Sequence, residues 1–132
     1  MLCVLRVKSK KLALRSLLET VSIKPYRIDK DVRGDPEVAF LHYDVAQTEA
    51  SFSEGLQDIV SFLNENNKDI LLLSSREDNE LTLDIGTYIY ENEFSKNLSF
   101  DAEFMGILVK HRILLTLSLY QTSRSDEEAG QA

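Results

Sequence analysis

The sequence has no tryptophan, one cysteine, two prolines and five glycines in 132 residues. A single cysteine, Cys3, excludes an intramolecular disulfide and any metal site built from several thiolates, and its place in an apolar run predicts a buried small side chain. So few prolines and glycines, beside 43% hydrophobic and 28% charged residues, exclude collagen-like and low-complexity chains. No stretch approaches the roughly 20 consecutive apolar residues of a membrane span. The opening, MLCVLRVKSKK, is too short in its apolar part for a secretory signal. The expectation is a cytoplasmic, single-domain protein, long enough to bury roughly two thirds of its unfolded surface.

The motifs whose spacing carries a mechanism are missing as well. The chain contains no GxGxxG, no phosphate loop, no HExxH, no GxSxG and no CxxC. His42 and Asp44, two apart in a strand, share one face, but two ligands fall short of a metal or catalytic site. His111 is expected at a helix C-terminus, where the dipole accounts for it. Glu91 and Glu93 have a spacing open to acid–base work, although solvated loop carboxylates are the simpler reading. Asn97-Leu98-Ser99 has the glycosylation pattern, but Ser99 is better used as a helix cap. The expectation is a non-enzymatic protein with no cofactor and no metal.

Charge is unevenly distributed. The chain carries a formal −7, yet its first 33 residues hold nine Lys/Arg against three Asp/Glu, leaving an acidic remainder. Such a body is repelled by phosphates, and the basic residues from Arg6 to Arg33 are spread out, which argues against nucleic-acid binding. An acidic surface favours solubility and fast encounter with a basic protein partner.

Hydrophobic spacing predicts the elements. Leu2–Val7 reads as a strand, followed by Ser9 as a cap and a helix with Leu14, Leu17, Leu18 and Val21 inward. Pro25 ends that helix, Ile23–Ile28 reads as a short extended piece, and 29–36 as a charged turn. Val38–Val45 follows as a strand. Ser51-Phe52-Ser53-Glu54 has capping-box spacing ahead of an apolar stripe, Phe52, Leu56, Ile59, Val60 and Leu63, so a helix is expected to about Asn66. Ile70–Leu73 reads as a buried strand and 75–79 as a hairpin connection. Leu81–Tyr90 alternates as a half-buried strand. Ser99 is expected to cap a third helix, and Ile113–Tyr120 to form a last strand.

The expected fold is α+β and two-layered: an antiparallel-rich sheet with three helices on one face, in the order β-α-β-β-α-β-β-α-β. From Val38 onward that order contains a ferredoxin-like βαββαβ run. The domain is expected to span 1–122, with 123–132 a disordered acidic tail. Thr82, Asp84, Tyr88, Tyr90, Thr116, Ser118 and Tyr120 fall on the face away from the helices. Tyrosines on such a face suit recognition, because each brings a large amphipathic contact area, and they equally suit cross-strand packing.

One stretch, LRSLLETVSIKPYRIDKDVRGDP, combines a helix ending in Leu-Leu, a Ser-Ile-x-Pro step and a later glycine. It resembles the bacterial domain-of-unknown-function family four-two-seven-nine, as do the later elements ending in Leu-Ser-Leu-Tyr, over about residues 1–121. Ser22 stands where that family has glycine, and the family's frequent tryptophan is absent. The resemblance implies an α+β fold, no catalytic residues, and an immunity-protein-like role in which a toxin is occluded. The candidate partner-binding residues are Asp84, Tyr88, Tyr90, Glu91, Glu93 and Tyr120. The alternative is a small-molecule-binding or regulatory domain forming a homodimer through its open sheet face.

Overall fold

The computed structural model describes residues 1–49 and 51–123. Its centre is β1 (Leu2–Lys10), in which Cys3, Leu5, Val7 and Ser9 are wholly buried and alternate with half-buried neighbours. Strand β1 is flanked on both sides by antiparallel partners, β3 (Val38–Gln47) and β4 (Glu80–Tyr90). The short β2 (Arg27–Asp29) pairs antiparallel outside β3, and β5 (Ile113–Thr122) pairs parallel outside β4. The five-stranded mixed sheet therefore runs β2-β3-β1-β4-β5.

Four helices, α1 (Leu14–Thr20), α2 (Phe52–Glu65), α3 (Asn67–Ser74) and α4 (Ala102–Lys110), contribute to a single core. Leu17, Ile59, Leu63, Ile70, Leu73 and Phe104 meet the strand residues Leu5, Val7, Leu41, Leu83 and Ile85. Period-2 alternation places all those strand residues on one face, leaving the opposite face without a second layer among the described residues. Because β3 and β4 are both antiparallel to β1, they are parallel to each other, and α2 and α3 bridge them over the strand between. Neighbouring β4 and β5 are parallel and need a crossover, which α4 supplies.

The α+β class and the prevalence of antiparallel pairing agree with expectation; the element order does not. Ile70–Leu73 is helical, so the order is β-α-β-β-α-α-β-α-β with four α-helices among the described residues, and the ferredoxin-like run from Val38 does not form. Asn66 causes the difference. It turns the chain between α2 and α3, donating from Nδ2 to the Phe62 carbonyl while its own carbonyl accepts from the Ile70 amide. Ile70 and Leu73 are then buried while Leu71 is 42% exposed, a helical pattern that an unbroken run of Leu conceals.

Two caps are also displaced. Ser9 belongs to β1 and caps nothing, and α4 is capped by Asp101, whose Oδ1 accepts from the Phe104 amide at 2.8 Å, in place of Ser99. The cap of α2 is where the spacing placed it, with Ser51 Oγ accepting from the Glu54 amide at 3.1 Å. Among the described residues no helix is long and apolar enough to cross a membrane. Apart from Ser123, the expected tail lies outside the described residues.

Candidate functional site

The open face of the sheet is built by register. Tyr88 of β4 lies directly beside Tyr120 of the parallel β5, with ring centroids 6.2 Å apart, and Tyr90 follows two residues on, 6.5 Å from Tyr88. Tyr88 and Tyr120 are each more than half exposed. Gly86 makes room for this row: a Cβ there would lie 3.1 Å from the Tyr120 ring, which covers the glycine from the neighbouring strand. Deeper on the same face, Asp84 accepts from Ser118 Oγ at 2.7 Å and pairs with Arg6 at 3.4 Å. Asp84 is thus a structural hub behind the tyrosines.

The turn after β4 carries the two glutamates, and they differ. Glu93 closes the turn, its carboxylate accepting from the Tyr90 amide at 2.9 Å while its own amide donates to the Tyr90 carbonyl. Glu91 extends the ladder through its amide, which donates to the Thr122 carbonyl at 2.9 Å, and is exposed. Lys96 returns over this end, donating to the Tyr88 carbonyl with its ammonium 5.6 Å from the centre of the Tyr90 ring. Phe94, at the tip, is fully exposed. The sequence reading passed over Phe94 and Lys96, because neither lies in a periodic element.

The other end of the sheet holds the histidine considered for chemistry. Its partner is Asp29: His42 Nε2 lies 2.9 Å from Asp29 Oδ2, and Arg27 Nε donates to Asp29 Oδ1 at 2.9 Å. Asp44 is exposed and lies beside Val4, next to the bulge that shifts the β1–β3 register. Hydrogen bonding from Arg27, followed by that from His42, holds the Asp29 carboxyl below its ordinary range. Tyr26 and Phe40 flank the imidazole with centroids 6.1 and 6.5 Å away, so the cluster ties β2 to β3.

His111 is buried just after α4, with Nδ1 unpartnered among the described residues; burial, then the nearby Lys110, pushes its pKa down. A neutral ring filling space replaces the expected charge–dipole role. Arg112, at φ 55°, takes the left-handed position that ends the helix. Burial also raises the Cys3 thiol pKa well above its ordinary value, so the thiol stays protonated.

Between α2 and α4 runs an open groove of about 660 Å³ lined by Phe52, Leu56, Val60, Phe100 and Phe104. Phe52 meets Phe100 edge-on and Phe100 stacks on Phe104, so the aromatics are engaged with one another. Among the described residues no three His, Cys, Asp or Glu side chains converge as metal ligands would. No family profile, curated protein or solved structure matches this chain.

Proposed function

We propose that this chain is a non-enzymatic, cytoplasmic protein-binding domain that docks a basic partner at the β4–β5 end of its open sheet face. The observation that carries the reading is the exposed aromatic row, Tyr88, Tyr90 and Tyr120, with the fully exposed Phe94 just beyond it. Aromatic side chains present large contact area at small entropic cost, and interface hot spots are enriched in tyrosine. Glu91 beside them, on a chain of net charge −7, supplies the attraction that speeds encounter with a basic surface. The resemblance to the bacterial family named above, and with it an immunity-like role of occluding a toxin, belongs to this same proposal.

The roles within the proposed site divide by structure. Phe94 and the tyrosines govern dissociation, Glu91 governs association, and Glu93 and Asp84 shape the surface from behind. The test is capture of partners by the wild type, by Phe94→Ala and by Glu91→Lys, at low and raised salt. One protein retained in near-equal amount, weakened about tenfold by Phe94→Ala and made less salt-sensitive by Glu91→Lys, is the expected result. Equal retention by all three would overturn the site.

A further inference from the structure

The outer edge of β5 combines length, lack of charge and exposed apolar side chains. Strand β5 is ten residues long, and no strand pairs with its outer edge among the described residues. From Ile113 to Thr122 it carries no charge. Leu114, Leu117, Leu119 and Tyr120 are exposed, so apolar groups project from both faces of the strand. Exposed, uncharged edges are ready templates for another strand, and natural proteins blunt those they leave unpaired. We infer that β5 pairs antiparallel with β5 of a second copy, about a two-fold axis at Leu117, joining two sheets into one. This inference does not depend on the partner-binding proposal.

Backbone direction limits the register, and side-chain pairing chooses within that limit. The Thr122 carbonyl accepts from Glu91 on the β4 side, and successive residues of a strand turn their amides and carbonyls to opposite edges. The odd-numbered residues from Ile113 to Gln121 therefore present theirs outward. Centring the pair on Leu117 lets each odd residue exchange both hydrogen bonds with its counterpart. Leu117 then faces itself, Leu115 faces Leu119, and on the open side Leu114 faces Tyr120 and Thr116 faces Ser118. From Leu114 to Tyr120 apolar meets apolar and hydroxyl meets hydroxyl, the self-complementarity a two-fold interface requires, and only the outermost pair, Ile113 with Gln121, is unlike. Sliding by two, to centre on Ser118, would set Leu115 against Gln121 and Thr116 against Tyr120. A one-residue slip would oppose residues from different faces.

Charge supports a second copy as the occupant. In a chain carrying −7, self-association brings like charges together at most surfaces, whereas β5 brings none together. Stacking of two open faces, the dimer expected earlier, would instead cover the charged side chains of Arg6, Lys8, Arg27, Asp29 and Asp84. Pairing at the edge leaves that face free and sets the two tyrosine rows on the same side of the joined sheet.

The test uses the full chain in a dilution series of sedimentation and light-scattering measurements. The expected mass is twice the 15.0 kDa of one chain, falling to one chain in Leu117→Lys, where two ammonium groups would meet at the axis. Leu117 is already 36% exposed, so circular dichroism and melting should show this variant folded. A second readout is cross-linking by a mild oxidant. Leu117→Cys places thiols on residues whose Cα atoms would lie about 5.5 Å apart, within disulfide reach. Leu114→Cys faces Tyr120 and should cross-link far less; native Cys3 is buried. A monomeric wild type overturns the inference, as does a dimer that survives Leu117→Lys or cross-links equally at both positions.

Discussion

Strands β2 and β5 close the same sheet at opposite ends, and they do so with opposite means. At one end three residues, Arg27-Ile28-Asp29, form an edge whose two charges are engaged with each other and with His42. At the other, ten residues without a charge leave leucines on both faces. A short, charged edge resists a further strand, and a long apolar edge accepts one. The comparison teaches which edge of this sheet is built to resist association and which is built to accept it. It also separates the two roles proposed for the β5 end: its edge meets a copy, and the adjoining open face meets a different protein.

The largest effect is expected where the β2 edge is tied to the helix layer. Asp69, in the first turn of α3 and 7% exposed, accepts from the backbone amides of Ser22 and Ile23, both at 3.1 Å. This clamp fixes the Ser-Ile-x-Pro step that leads into β2. Asp69→Ala removes two charge-assisted hydrogen bonds and leaves two amides without their partner. It should destabilise the protein by about 2–4 kcal/mol, read as a lowered urea midpoint, with Asp69→Asn losing less. Burial, and next the Asp69 charge, push the Tyr43 phenol up to about 12, so the same variant should lower the Tyr43 titration. Hydrogen exchange should quicken over 21–29 and leave β5 unchanged; uniform quickening would mean that the two edges are not independent.

How much of this could be read beforehand depended on whether a residue acts within its own element or across to another. The cap at Ser51, the strand over Leu2–Val7, the alternation of β4 and the sharing of a face by Tyr88 and Tyr90 are local, and all were legible. Tyr120 was legible because β5 alternates as β4 does. The Asp29–His42 contact required knowledge that β2 lies beside β3, and adjacency within the sequence pointed to Asp44 instead. Asp69 is separated from Ser22 by 47 positions and has no signature apart from an acid in a first turn. The helical state of Ile70–Leu73 was hidden because four consecutive apolar residues satisfy either period, and only packing decides.

A smaller effect, which sharpens the comparison at the other end, is expected from Gly86→Ala. The added methyl would meet the Tyr120 ring at 3.1 Å and the Leu2 carbonyl oxygen at 3.6 Å. Tyr120 is half exposed and can swing away, while loss of glycine restricts the unfolded chain, so stability should change by less than about 1 kcal/mol. The ring itself should move, and with it the contact to Tyr88. Partner capture should fall while the dimer mass is kept, because the edge hydrogen bonds belong to odd residues and only the outer Leu114–Tyr120 contact of the pair is touched. Unaltered Tyr120 resonances in the variant would show that the ring does not rest on Gly86.

The smallest expected effect lies in the charges of the β2 edge, and pH gives it a sign. The Asp29 carboxyl is held below its ordinary range by the hydrogen bond from Arg27 first, with burial opposing and His42 adding to the depression. A depressed carboxylate contributes stability that is fully present above its unfolded value, near 3.9, and is lost as pH falls through the folded value. Asp29→Asn should therefore lower the urea midpoint slightly at neutral pH, and the gap from wild type should close below about pH 4. Raised salt should narrow the neutral gap as well, since the Arg27–Asp29 pair is partly exposed. A gap independent of both pH and salt would show that Asp29 holds β2 by shape alone. The edge would then be protected by its shortness, and lengthening β2 with uncharged residues, rather than neutralising it, would be what makes it resemble β5.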